Sequence, residues 1–147
     1  DDAGLRSKFA EWKQLGIRSV AIVLMHSYLM PKHEEAVAKV AAEFDFDEVI
    51  CSSHLSPVRK LLSRSDTSLV DAYLSPVIND YLQVVKRQFG NPEASRLEIM
   101  TSAGSLVDVE EFHGKDSVLS GPAGGIVAVQ ELLRQTTCQA ALAFDMG

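Results

Sequence analysis

The chain is 147 residues long, enough for one ordinary domain with a core of its own. With 46% hydrophobic and 23% charged residues it has the balance of a globular protein, and a net charge of −6 argues against a nucleic-acid surface. No apolar run approaches the roughly 20 residues that span a bilayer, and the two cysteines, Cys51 and Cys138, form no CxxC pair, so a reduced cytoplasmic chain is expected.

In chain order, "LRSKFAEWKQLG" spaces Leu5, Phe9 and Trp12 at helical intervals and closes on Gly16, a C′ residue. "IRSVAIVLM" is continuously apolar, as in a strand buried on both faces. "PKHEEAVAKVAAEF" predicts a second helix, with Pro31 in its first turn, Glu34 and Glu35 at its positive end and a stripe of Val37, Val40, Ala41 and Phe44. "EVICSS" predicts a second strand. From Asp66, a plausible cap, a long helical pattern runs to about Phe89 with Val70, Leu74, Val77 and Tyr81 on its buried face; Pro76 should kink or break it. "RLEIMTS" predicts a third strand and "VDVEEF" a short helix. "SVLSGPAGGIVAVQELLRQ" reads as strand, glycine turn and helix, and "AALAF" as the last strand.

Strands alternating with helices imply an α/β fold with a mostly parallel sheet and flanking helices. Ligands of such sheets gather beyond the carboxyl ends of the strands. That rule selects His26 and Ser27, Ser52 and Ser53, Thr101 to Ser105, Ser120 to Gly125, and Asp145 to Gly147. Among them "SGPAGG" is the strongest constellation, because bare amides at a helix start can receive an anion. Its glycines could equally serve close packing of helix on sheet. Asp145 followed by Gly147 suits a magnesium or water-orienting carboxylate beside a close backbone approach, and also suits an ordinary turn. His26 could act as a general acid or substrate donor, or sit hydrogen-bonded at the rim of the core. Cys51 and His54 form a C-x-x-H pair with no second half, which makes zinc improbable.

Taken together, "LMHSYLMPKHE", "SRSDTSLVDAYLSPVINDYL", "IMTSAGSL", "VLSGPAGGIVA" and "FDMG" resemble the hydantoinase A/5-oxoprolinase family. The resemblance extends over most of the chain from about residue 17. It implies part of an actin-like ATPase lobe, similar to sugar kinases and heat-shock chaperones, with residues 1–139 in the first lobe and 140–147 beginning the second. In that family "FDMG" continues into a second phosphate turn, so an internal fragment, inactive by itself, is expected.

The implied activity is ATP-dependent opening of a lactam or hydantoin ring, with ATP and magnesium as cofactors. A ketone carboxylase subunit of the same family and a non-catalytic association module are the alternatives. Asp145 is then the catalytic and magnesium-holding carboxylate. Ser120, Gly121, Gly124, Gly125 and Gly147 approach phosphate, while His26, Ser27 and Arg64 face the substrate. A hydantoinase B-type subunit or domain is the implied partner, no nucleic acid or membrane is expected, and the fragment could self-associate. Two departures stand out: Ala103, Gly104 and Ser105 replace the family's Asn/Asp-Gly-Gly, and Leu61 and Leu62 stand where a glutamate and a tyrosine are usual.

Overall fold

The computed structural model describes residues 2–89, 97–144 and 146. The elements are α1 (Asp2–Gln14), β1 (Ser19–Ile22), α2 (Lys32–Ala41), β2 (Glu48–Cys51), α3 (Ser52–Leu55), α4 (Leu61–Gln88), β3 (Glu98–Met100), β4 (Leu106–Asp108) and α5 (Ser120–Arg134). The chain divides into two compact units, residues 1–80 and 81–147.

In the first unit, Phe9 on α1 is the centre of the core. Its ring lies 5.6 Å from Trp12, 5.7 Å from Phe44 and 5.6 Å from Phe46, in tilted and edge-on geometries that aromatic quadrupoles favour. Val20 and Ile22 of β1 and Val40 and Ala41 of α2 complete it. The helical spacing read from the sequence therefore delivers Phe9 and Trp12 as expected, and α1 is closed by Gly16 at φ 77°. β1 and β2 pair in parallel, Val20 opposite Val49 and Ile22 opposite Cys51. The strand is shorter than its apolar run and alternates, with Val20 and Ile22 buried and Ser19 and Ala21 half-buried, so it is not covered equally on both faces.

α4 departs most from expectation. It begins at Leu61, five residues before Asp66, and continues through Pro76 as one helix. Its buried face is also different. Arg64, Ser68, Asp71, Ala72 and Ser75 point inward, while Val70, Val77 and Tyr81 are exposed and Leu74 is half-buried. The inward positions are mostly polar, and the outward ones include the apolar Leu69 and Tyr73 as well. The physical reason lies at the helix's first turn, where the hydrogen bonds of Arg64 set the rotational phase. A shift of one residue turns a helix by about 100°, so anchoring Arg64 inward carries positions 68, 71 and 75 with it.

In the second unit β3 and β4 form an antiparallel hairpin, Ile99 opposite Val107 and Met100 opposite Leu106. Among the described residues the expected α/β arrangement with a parallel pair and flanking helices is present, and the β3–β4 hairpin adds one antiparallel pair to it. The hairpin turn is closed by Thr101 N–H donating to Ser105 O at 2.8 Å and Gly104 N–H to Thr101 O at 2.9 Å. Gly104 is required there: its φ is +80°, and a Cβ would stand 3.1 Å from Val127 Cγ2 on α5. Ahead of α5, the expected strand is replaced by a 3₁₀ turn, Gly114–Ser117, and two extended-to-turning residues, Val118 and Leu119. "VDVEEF" is strand, then a 3₁₀ turn capped by Asp108 Oδ1, which accepts from Glu110 N–H at 3.1 Å. Residues 140–144 form no strand, and Leu142 and Phe144 are exposed. A strand is made by its neighbours' hydrogen bonds, and no described segment pairs with this one.

Candidate functional site

The carboxyl ends of β1 and β2 converge on a buried polar cluster built around Arg64 and Glu34, each 0% exposed. Pro31, with φ −68°, starts α2, which puts Glu34 in the first turn. From there Glu34 Oε1 accepts the backbone N–H of Leu24 at 2.8 Å and the hydroxyl of Ser52 at 2.6 Å. Its Oε2 accepts the backbone N–H of Ser53 at 2.8 Å. Burial alone would raise the carboxyl's pKa, but hydrogen bonds from Ser52, Ser27, Ser53 and Leu24 outweigh it and hold the value at about 2. Glu34 is an anion throughout the physiological range.

Arg64 supplies the opposite charge. Its Nε donates to Ser52 Oγ at 2.8 Å and its Nη1 to the carbonyl of Val58 at 2.8 Å. Its Nη2 donates to the carbonyls of Leu24 and, at 3.3 Å, of Met25. The hydroxyl of Ser52 thus receives from the guanidinium and gives to the carboxylate, so the two charges are joined through one side chain. The Arg64 guanidinium also lies 5.8 Å from the centre of the Tyr28 ring. Beside the cluster, burial and the charges of Glu34 and Glu35 push the Cys51 thiol upward, so it is a poor nucleophile.

Of the three residues selected for the substrate side, Arg64 and Ser27 are buried and His26 is exposed. Ser27 Oγ donates to the Leu24 carbonyl at 2.9 Å. The His26 carbonyl accepts the N–H groups of Leu29 at 3.0 Å and Met30 at 3.1 Å, which fixes its backbone while its imidazole faces out. These residues share one loop, 24–30, or bond to it. Glu34 is the residue that sequence reasoning missed. Its sequence position matches it to the positive end of α2, and the one further signal is its place four residues after the strand-end loop 24–30.

The second constellation is the start of α5. Leu119 occupies its N-cap at φ 64° and offers no side-chain acceptor to the first-turn amides. A leucine in the left-handed region costs about 1–2 kcal/mol, strain of the kind that persists at working sites. Gly121 and Pro122 are exposed, and nothing lies within 4 Å of the position a Cβ on Gly121 would take. A Cβ on Gly124 would stand 3.8 Å from Met100 Cγ, ordinary packing against β3. Ser120, Gly121, Gly124 and Gly125 therefore lie inside the first turns of the helix, not in a turn ahead of it. Of the two uses left open for the glycines, Gly124 matches close packing and Gly121 matches open approach. Asp145 and Gly147 lie outside the described residues.

Comparison with known proteins gives a consistent set of relatives. A sequence profile described as hydantoinase/oxoprolinase matches residues 64–147, and one for the hydantoinase/oxoprolinase N-terminal region matches residues 1–44. The chain is 39% identical to 5-oxoprolinase of Saccharomyces cerevisiae and 41% identical to 5-oxoprolinase 1 of Arabidopsis thaliana, in each case over 100% of this chain and 12% of the relative. It therefore spans about an eighth of the length of the curated relatives it matches. Among solved structures, nucleotide-free acetone carboxylase superposes with a TM-score of 0.72 over 89% of this chain and 19% of that one, at 20% identity. That likeness is one of fold, a mixed α/β arrangement with a short parallel sheet.

Proposed function

The chain belongs to the hydantoinase/oxoprolinase family, and from that premise we propose that it forms part of an ATP-dependent enzyme that opens a lactam or hydantoin ring. The observation that carries the reading is the identity of 39–41% to 5-oxoprolinases along the whole chain. A cyclic amide is stabilised by resonance between its nitrogen and carbonyl and resists water. Bound ATP would supply a phosphoryl group to the carbonyl oxygen and so remove that resonance.

The residues at the start of α5 suit a phosphate. The approach over Gly121 is open, the N-cap Leu119 offers the first-turn amides no side-chain acceptor, and a helix N-terminus favours negative charge. Ser120, Gly121, Gly124 and Gly125 are accordingly proposed to line the phosphate path. Asp145 and Gly147 join them on the strength of the "FDMG" motif, Asp145 holding magnesium or the attacking water. His26 and Ser27 are proposed for the substrate side, through the 24–30 loop. A hydantoinase B-type subunit or domain is the proposed partner, and 139/140 the proposed lobe boundary. Two free cysteines fit a cytoplasmic setting, and no helix among the described residues is long and apolar enough to cross a membrane.

Ketone carboxylation is the second reading, favoured by the acetone carboxylase fold match alone. One assay separates them. The parent-length enzyme is supplied with magnesium-ATP and followed for phosphate release with 5-oxoproline, with hydantoins, or with acetone and bicarbonate. Release that depends on 5-oxoproline or a hydantoin is the expected result. Release only with ketone and bicarbonate would establish the second reading. No release and no nucleotide binding would leave an association module.

A further inference from the structure

The loop 24–30 is held by polar clamps rather than by burial of its apolar side chains. Met25, Leu29 and Met30 are 64%, 69% and 58% exposed, so little of the hydrophobic effect acts on them. Its backbone is instead gripped at one residue: the Leu24 N–H is bound by Glu34, and the Leu24 carbonyl is bound by Arg64 and Ser27. Arg64 reaches Met25 as well, and its Nε and Nη1 donate to Ser52 and Val58. Every nitrogen of the guanidinium therefore already faces an oxygen of the chain, and the residue is fully buried. Four of its five N–H donors are so committed, and with the side chain fully buried the fifth has no open path to a ligand.

We infer that Arg64 and Glu34 are positioning residues: joined through Ser52, they fix the 24–30 loop and with it the bearing of His26, and do not themselves touch substrate. The inference rests on the reading that His26 faces the ring substrate. Because both charges act on the same residue, Leu24, their effects on the loop should be strongly coupled rather than additive.

Amide hydrogen exchange on the 147-residue chain tests the clamp, comparing wild type with Glu34→Gln, Arg64→Lys and the double variant. The expected result is exchange at Leu24, Ser27, Leu29 and Met30 faster by roughly tenfold or more in each single variant, with α1 and β1 unmoved and the double variant no faster than the worse single. Unchanged loop exchange, or an equal rise across the whole first unit, would overturn the inference. Should a charge variant fail to fold, Ser52→Ala removes the link and keeps both charges, and the same comparison decides.

In the parent-length enzyme, both single variants are expected to raise KM for the ring substrate several-fold and leave KM for ATP unchanged. A direct substrate contact by Arg64 predicts otherwise: Arg64→Lys would raise KM while Glu34→Gln left it alone. Wild-type enzyme lacking ring-dependent phosphate release would defeat the functional reading, and the exchange result would still decide whether the clamp exists.

Discussion

The Arg64–Glu34 cluster and the start of α5 treat polar groups in opposite ways. In the first, two buried charges and the amides and carbonyls around them bond to one another, leaving Ser53 Oγ without a hydrogen-bond partner among the described residues. In the second, Leu119 provides no cap and Gly121 opens onto space. A buried cluster whose charges are largely bonded to the chain is suited to shaping a site more than to receiving a ligand. An uncapped helix start can receive one and does little to hold its own surroundings. The distinction is why Arg64 is proposed as a support and the α5 glycines as the phosphate path.

Breaking the saturated side should cost most. Arg64→Ala leaves Glu34 as an uncompensated buried anion, which typically costs about 3–5 kcal/mol. Urea unfolding followed by Trp12, the chain's single tryptophan, should show it. A loss below about 1 kcal/mol would mean that water reaches Glu34. Phe9→Ala, which empties the centre of the aromatic cluster, sets the scale for comparison at about 3–5 kcal/mol by the same readout.

Acid acts on the same cluster more gently. Glu34 titrates at about 2 in the fold, against 4.5 for an ordinary glutamate. Its contribution is therefore complete above the unfolded value and drains as pH falls toward the folded one. Across that window the loss should reach about 3 kcal/mol. Glu34→Gln should flatten this part of the stability profile, and an unchanged acid limb would place the acid sensitivity elsewhere.

The open side should respond with small stability changes and a larger change in binding. Leu119→Gly relieves the left-handed backbone and should stabilise by about 1 kcal/mol in thermal unfolding. Gly121→Ala meets no neighbour and should alter stability by less than about 1 kcal/mol. In the parent-length enzyme it should nonetheless weaken nucleotide binding in calorimetry, since its methyl would stand where phosphate approaches. Undiminished affinity would remove Gly121 from the phosphate path.

Much of this organisation is legible in the residues. The spacing of Leu5, Phe9 and Trp12 gives α1 and the aromatic core, Pro31 gives the start of α2, and the apolar runs give β1, β2 and β3. The strand-end rule selects His26, Ser27, Ser52 and Ser53, and all four lie at or beside the Arg64–Glu34 cluster. Periodicity works there because a single face, repeated every three or four residues, must meet the core.

It fails on α4, where apolar residues at helical spacing face outward and Arg64, Ser68, Asp71 and Ser75 face in. Pattern reading assigns the apolar face to the interior. In this chain the phase of α4 is fixed by hydrogen bonds to Ser52, Leu24 and Val58, up to 40 residues away in sequence. The hairpin of β3 and β4 likewise depends on pairing across a turn, and "AALAF" shows that an apolar run is no strand without a partner beside it. By itself the sequence determined that α1, α2, α4 and α5 are helical, that Phe9 and Trp12 share a helix face and which family the chain joins, because those follow from local spacing and residue identity. Only the tertiary structure decided that Glu34 and Arg64 are buried and joined through Ser52, because burying a charge is tolerable only when distant parts of the chain bring its partners.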